Sequence, residues 1–170
     1  MENKTFNTNT KNNGEWLTPQ YITQFFDFDL DPCSPMVRPW DTAKNHFNEN
    51  DDGLVQNWNG FVFCNPPYGR ETFKWMKKCY EHNNCIALIF ARTETIGFHS
   101  EIWDKADAVF FFKGRLKFHY VTGEQGGTAN ANAPSILVAY GDNATSELAR
   151  FSKENKGKFI RLNESEIINK

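Results

Sequence analysis

The apolar positions of the chain fall into short runs separated by polar stretches, which predicts strands alternating with helices. Residues 85–91, Cys-Ile-Ala-Leu-Ile-Phe-Ala, are apolar throughout, as expected of a central strand in a parallel sheet. Shorter runs at 28–30, 61–64, 109–112 and 135–140 predict further strands. Strands separated by helical patterns favour an α/β fold with a mostly parallel sheet, in which 135–140 forms an antiparallel last strand.

Helical spacing of apolar residues occurs between these runs. Thr18 as N-cap and Pro19 at the first helical position predict a short helix. Further helices are predicted at 72–81 and 96–105, and a Thr145-capped helix, a short strand and a charged tail at 142–170.

The domain organisation follows from length and local composition. Residues 1–13 are rich in Asn, Thr and Lys and are predicted to be a mobile tail, and 14–170 a single domain with 142–170 as an appendage of unknown role. Only 33 residues separate Asp31 from Asn65, and the stretch 45–59 within them is polar, with seven Asn or Asp residues. Because a βαβ unit takes about 30 residues, we expect a trimmed sheet with a loop-rich insert there.

The net charge and the cysteine content limit which binding partners and which cellular compartment can be predicted. A net charge of -2 gives no overall attraction to nucleic acid, so any DNA contact must come from local basic patches. The four cysteines, Cys33, Cys64, Cys79 and Cys85, form no zinc-ligand pattern, which favours a reduced, cytoplasmic setting without a metal. Neither a membrane span nor a signal peptide is predicted.

The segment with the clearest chemistry is Asn65-Pro66-Pro67-Tyr68, which directly follows the apolar run 61–64. The prolines remove two backbone donors, so the loop offers mainly acceptors. The Asn65 side-chain oxygen and the Pro66 carbonyl can accept the two hydrogens of an exocyclic amine. Tyr68 can stack on the ring that carries the amine, which is worth about 1–3 kcal/mol for a base.

Several motifs around this loop carry a family resemblance. Asn-Pro-Pro-Tyr after a hydrophobic strand resembles the catalytic motif of S-adenosylmethionine-dependent amino methyltransferases. Four further segments, in this order, resemble phage-type DNA N6-adenine methyltransferases of the Dam family: Glu15-Trp16-Leu17-Thr18-Pro19, Asp29-Leu30-Asp31-Pro32-Cys33, Phe90-Ala91-Arg92-Thr93-Glu94-Thr95 and Gly114-Arg115-Leu116-Lys117-Phe118. The resemblance covers about residues 15–141.

The resemblance implies a trimmed, Rossmann-like class I methyltransferase fold and methyl transfer from S-adenosylmethionine to adenine N6 in double-stranded DNA. It also implies a flipped target base, a phage or prophage origin, and a role in restriction-modification or evasion of host defence. The implied catalytic residues are Asn65, Pro66, Pro67 and Tyr68. The implied cofactor-binding residues are Trp16, Thr18, Pro19, Asp31, Pro32, Cys33 and Phe63.

The turn after Asp31 departs from most methyltransferases, because Ser34-Pro35 stands where they carry a glycine-rich turn. Asp31 itself could accept from the ammonium or from a ribose hydroxyl of the cofactor, or could simply end the strand in an Asp-Pro turn.

Five basic residues are predicted to contact DNA: Arg70, Arg92, Lys113, Arg115 and Lys117. The alternation over 113–119 places three of them on one face of an extended strand that continues the run 109–112. That face is either a solvated edge strand or a basic stripe facing DNA. Any sequence preference is expected to come from loops such as 121–134.

Other functions stay open. Similar Asn-Pro-Pro-Tyr loops serve methyltransferases that act on RNA adenine or protein glutamine. The glycine-free turn is also compatible with a catalytically inactive nucleic-acid-binding module.

Overall fold

A mixed seven-stranded sheet and a separate two-stranded ribbon organise the residues described by the structure, a computed structural model covering 16–120, 122–123 and 133–162. The strands are β1 Trp16–Leu17, β2 Leu30–Asp31, β3 Asn45–His46, β4 Val62–Cys64, β5 Cys85–Phe90, β6 Ala108–Phe112, β7 His119–Tyr120, β8 Ser135–Tyr140 and β9 Gly157–Arg161. The helices are α1 Gln20–Thr23, α2 Thr72–His82, α3 Ile96–Phe98 and α4 Asp142–Glu154, and α3 continues as a π-helical turn, His99–Trp103.

The strand order in the large sheet is β3-β2-β4-β5-β8-β6-β9. Strands β3, β2, β4 and β5 are parallel neighbours, and β8 is antiparallel to both β5 and β6. Strand β6 therefore runs in the direction of β5, whereas β8 and β9 run against it. The expected antiparallel strand at 135–140 is present. It lies inside the sheet rather than at its edge, which β9 occupies.

Two apolar cores cover the two faces of this sheet. Alternate residues of β5 point to opposite faces, so Ala87 packs in one core and Leu88 in the other. Helix α2 contributes Trp75 to the first core, and α4 contributes Phe151 to the second. The two helices consequently lie on opposite sides of the sheet.

Two of the predicted helix starts are wrong. The N-cap of α1 is Pro19, without any side-chain cap, so Thr18 does not cap the helix. Helix α4 begins at Asp142, and Thr145 lies inside its first turn, where its amide donates to the Gly141 carbonyl (2.9 Å).

The predicted extension of the 109–112 strand to residue 119 is also wrong. Strand β6 ends at Phe112, and Gly114 (φ +91°) turns the chain away because its conformation is left-handed. Leu116 and Phe118 are still buried, and Arg115 and Lys117 are still exposed, but all four lie between β6 and β7 rather than in a strand. Strand β7 instead pairs with β1 in the ribbon.

One edge of the sheet collects the segments that follow strands. Because β2, β4, β5 and β6 run in the same direction, their carboxyl ends meet at this edge. Asp31 ends β2 there, Asn65 follows β4, and Arg92 lies just after β5. Strand β9 starts at the same edge, since Gly157 pairs with Phe112.

The domain boundary predicted at 13–14 lies outside the described residues, as does most of the loop 121–134. In the part of the chain that is described, no helix has the length and apolar character of a membrane span.

Candidate active site

A cavity of about 460 Å³ opens at the carboxyl edge between the loops after β2 and β4. That volume lies in the range of small-molecule and cofactor sites. All four predicted catalytic residues, Asn65, Pro66, Pro67 and Tyr68, line it. So do six of the seven predicted cofactor-binding residues: Trp16, Thr18, Asp31, Pro32, Cys33 and Phe63. The seventh, Pro19, is buried beside Thr18 but does not line the cavity.

The Asn65 amide is held by a hydrogen bond on each side. Its Nδ2 donates to Thr18 Oγ1 (3.3 Å), and its Oδ1 accepts from the Tyr68 hydroxyl (3.1 Å). Thr18 is buried, and the ribbon of β1 and β7 fixes the chain just before it. Thr18, which was predicted to cap α1, thus orients the side-chain amide of Asn65 instead.

Tyr68 lies on Phe90 at the end of β5. The two rings are stacked, with centroids 4.1 Å apart and planes 11° from parallel. Burial raises the pKa of the Tyr68 hydroxyl, so this group stays a neutral donor to Asn65. Tyr68 therefore occupies, in this conformation, the acceptor that an incoming amine would use.

The motif loop is tied to α2 by Thr72, the first residue of that helix. Its hydroxyl donates to the Pro67 carbonyl (3.0 Å) and accepts from the Gly69 amide (3.0 Å). Pro66 and Pro67 restrict the backbone of the loop, and the two hydrogen bonds of Thr72 hold its C-terminal end. The acceptors of the loop are consequently held in place before any ligand binds.

Asp31, at the end of β2, is a buried carboxylate that also lines the cavity. One oxygen accepts from the Cys33 amide (3.0 Å), and the other accepts a short hydrogen bond from the Thr42 hydroxyl. Burial raises the pKa of Asp31 to about 6, although these two hydrogen bonds and the charge of Arg38 oppose the rise. Its protonation state thus changes near neutral pH.

Thr42 belongs to a polar network that the sequence analysis missed. Arg38 Nη2 donates to His46 Nδ1 (2.9 Å), and His46 Nε2 lies 3.3 Å from the Thr42 amide nitrogen. Burial and the charge of Arg38 lower the pKa of His46, which keeps the ring neutral. The network lies in the polar insert between Asp31 and Asn65, where no periodic pattern singles out a residue.

A distant glycine makes the turn after Asp31 possible. A Cβ on Gly53 would lie 2.2 Å from the Pro32 carbonyl oxygen, so only glycine permits this approach. Although the turn itself, Ser34-Pro35, contains no glycine, the close backbone packing is supplied from the insert.

Comparison with known families decides the class of this site. The family model for DNA N-6-adenine-methyltransferase (Dam) matches residues 5–164. The chain belongs to the Dam family. No curated protein and no solved structure gave a match. Membership of the Dam family indicates DNA adenine N6-methyltransferase activity, and so an enzyme with DNA as substrate.

The cysteines of this Dam-family chain form two close pairs. Cys33 and Cys64 have Sγ atoms 3.7 Å apart, and the Cys85 thiol donates to Cys79 across 2.9 Å. All four are free thiols whose pKa is raised by burial. Among the described residues, no group of three or more His, Cys, Asp or Glu side chains is arranged to hold a metal ion.

The basic residues predicted to contact DNA all lie outside the cavity and are exposed. They are Arg70, Arg92, Lys113, Arg115 and Lys117. Arg70 and Arg92 follow the motif loop and β5 on the carboxyl edge. Lys113 and Arg115 line a second, smaller depression of about 300 Å³ beyond β6. The structure therefore separates four of the five into two places along one edge, and Lys117 lines neither the cavity nor the depression.

Proposed function

We propose that this Dam-family chain transfers a methyl group from S-adenosylmethionine to N6 of an adenine flipped out of double-stranded DNA. The observation that carries the proposal is that the Asn65–Tyr68 loop and Asp31 line the same cavity. Strand order supports a trimmed, Rossmann-like class I arrangement, because the antiparallel strand β8 is inserted between β5 and β6, which run in the same direction.

The residues of the cavity fit the proposed cofactor. Asp31 offers a buried carboxylate, suited either to the cofactor ammonium or to a ribose hydroxyl. Trp16 and Phe63 supply apolar surface, and both line the cavity on which Asp31 also opens. S-adenosylmethionine supplies an electrophilic methyl group on a sulfonium.

Asn65 and Pro66 provide the catalytic contribution of the protein. The lone pair of an adenine amine is delocalised into the ring, which makes it a poor nucleophile. Accepting its two hydrogens at Asn65 Oδ1 and the Pro66 carbonyl favours a more tetrahedral nitrogen with the lone pair available. Among the described residues, none donates a hydrogen bond to the Pro66 carbonyl.

Base entry competes with Tyr68. Its hydroxyl already donates to Asn65 Oδ1, the acceptor that the amine would also use, so release of that hydrogen bond favours binding of the amine. A neutral hydrogen bond contributes about 0.5–1.5 kcal/mol, so its loss is offset by stacking of the base, worth about 1–3 kcal/mol. Arg70 follows Tyr68 by two residues, and Arg92 follows Phe90, on which Tyr68 stacks, by two residues, so we expect both to hold phosphates beside the extruded nucleotide.

A substrate panel tests the proposal. The enzyme is incubated with methyl-labelled S-adenosylmethionine and, separately, duplex DNA, RNA or a protein extract. Label in duplex DNA is expected. Label only in RNA or only in protein would replace the proposal by one of those methyltransferase activities. Failure to bind S-adenosylhomocysteine in calorimetry would instead indicate an inactive nucleic-acid-binding module. The phage or prophage origin expected from the resemblance is tested by the genes that flank this one.

A further inference from the structure

The depression beyond β6 brings together two segments that are far apart in sequence. Lys113 and Arg115 come from the turn after β6, and Glu154 and Lys156 come from the junction of α4 and β9. We call these four residues the basic notch. It holds three cations and one carboxylate, a formal charge of +2, in a chain whose net charge is -2.

The backbone holds the two sides of the basic notch together. The Lys113 amide donates to the Lys156 carbonyl (3.0 Å), and the next register pair joins Phe112 to Gly157. A Cβ on Gly157 would lie 2.3 Å from the Phe111 carbonyl oxygen, so the turn packs directly on β6. The backbone positions of Lys113 and Lys156 are therefore fixed, whichever rotamers the two side chains adopt.

The two lysines of the basic notch differ from four other lysines of the described residues, Lys44, Lys74, Lys77 and Lys105, which are held in ion pairs. Lys74, Lys77 and Lys105 each form an ion pair with a glutamate three or four residues away. Within the described residues, neither Lys113 nor Lys156 takes part in an ion pair. Their charge is thus available to an external anion, and Glu154 opposes it only in part.

The position of the basic notch suits the backbone of the substrate. It lies on the carboxyl edge, as Asn65 does, and the sheet order places β6 three strands and β9 four strands from β4. At about 4.8 Å per strand, these separations are about 14 Å and 19 Å. Successive phosphates of one DNA strand are about 3.4 Å apart along the axis, so the basic notch would meet the duplex about four to six base pairs from the flipped adenine.

We propose that the basic notch binds backbone phosphate of the duplex and that the C-terminal segment 142–162 is therefore a DNA-contacting element. The inference rests on the proposed function for its choice of partner. It adds Lys156 to the DNA surface and gives the α4–β9 junction a role that no sequence motif indicated. Phosphate contacts of this kind set affinity and register but carry no sequence information.

Salt titration of binding to a 24-base-pair duplex tests the basic notch with charge-neutralising variants. Lys156→Gln should flatten the slope of log affinity against log salt by about 0.9. Between 50 and 200 mM salt, wild type should then lose about 3.5-fold more affinity than the variant. Glu154→Gln should act in the opposite direction and tighten binding at low salt. In turnover assays, Lys156→Gln should raise KM for DNA and leave kcat unchanged.

Lys77→Gln is the control for position on the surface. Lys77 is also an exposed lysine, but it lies on α2, on the other side of the sheet from α4. Its slope should equal that of wild type. Three results would each overturn the proposal that the basic notch binds phosphate. They are an unchanged salt slope for Lys156→Gln, weaker DNA binding by Glu154→Gln, and a salt slope for Lys77→Gln that is flattened as much as that for Lys156→Gln.

These outcomes are distinguishable from failure of the proposed function. An enzyme that methylates adenine in DNA but has an unchanged Lys156→Gln slope refutes only the basic notch. An enzyme that binds duplex through the basic notch and labels RNA or protein refutes only the proposed reaction.

Discussion

Cofactor affinity should depend on pH through Asp31. Burial raises the pKa of this carboxyl to about 6, so lowering the pH through that value protonates it and removes its acceptor oxygen. If only the carboxylate binds the cofactor, the apparent dissociation constant scales inversely with the ionised fraction, which falls to about 0.1 at pH 5. Affinity for S-adenosylhomocysteine should therefore drop about tenfold between pH 7.5 and pH 5.

Thr42 sets the midpoint of this dependence. Its hydroxyl donates to the Asp31 carboxylate, and that bond lowers the pKa against the effect of burial. Hydrogen bonds to charged groups contribute about 1.5–3 kcal/mol, which corresponds to about 1–2 pKa units. Thr42→Val, which keeps the shape of the side chain, should move the midpoint upward to about pH 7–8, whereas Thr42→Ser should leave it near that of wild type.

Isothermal titration calorimetry of S-adenosylhomocysteine from pH 5 to 8.5 measures the midpoint directly. Asp31→Asn is the control, because a side chain that does not titrate should give weak affinity with a flat profile. A wild-type profile that is flat over this range would refute the role of Asp31. A Thr42→Val midpoint that is unchanged or lower would refute the coupling of the two residues.

Five further variants have defined outcomes. Asn65→Ala should abolish nearly all turnover and leave cofactor affinity within a few-fold by calorimetry; a folded variant that no longer binds the cofactor would contradict the division of roles. Tyr68→Phe removes the hydroxyl that occupies Asn65 Oδ1 and should keep or increase kcat, whereas Tyr68→Ala should raise KM for DNA by about 5- to 150-fold through lost stacking; equal effects of the two would exclude the competition. Gly141→Ala should cost about 1–3 kcal/mol, seen as a lower Tm, since Gly141 has φ +93° and a Cβ there would lie 2.0 Å from the Asn83 carbonyl oxygen. Joint replacement of Arg115 and Lys117 by Gln should flatten the salt slope of DNA binding by about 2; an unchanged slope would exclude both as phosphate contacts.

Strong local patterns predicted the central elements correctly. The apolar runs at 85–91 and 135–140 became the adjacent strands β5 and β8, because burial on both faces leaves a nearly uninterrupted apolar signal. The position of β8 between β5 and β6 depends on pairing between distant segments, which no local pattern carries. Similarly, the alternation of polar and apolar residues over 113–119 predicted correctly which side chains are buried. It predicted a continuous strand wrongly, since Gly114 takes a left-handed conformation and β6 ends before it.

The residues of the candidate site were predictable where their type and their position after a strand together indicate a single role. The Asn65–Tyr68 loop and Asp31 follow strands, and the common direction of β2 and β4 brings them to one edge. Thr18 and Thr42 were not predictable in their observed positions, because a threonine in a turn or a polar loop has several equally good local partners. Only the tertiary structure places one hydroxyl beside Asn65 and the other beside Asp31.

Nucleoside analysis of methylated DNA tests the central claim most directly. A duplex substrate is incubated with methyl-labelled S-adenosylmethionine, digested, and separated by liquid chromatography with mass spectrometry, with Asn65→Ala treated in parallel. We predict label in N6-methyladenine for the wild-type enzyme and almost none for the variant. Label in methylcytosine, or equal N6-methyladenine from both proteins, would contradict the account.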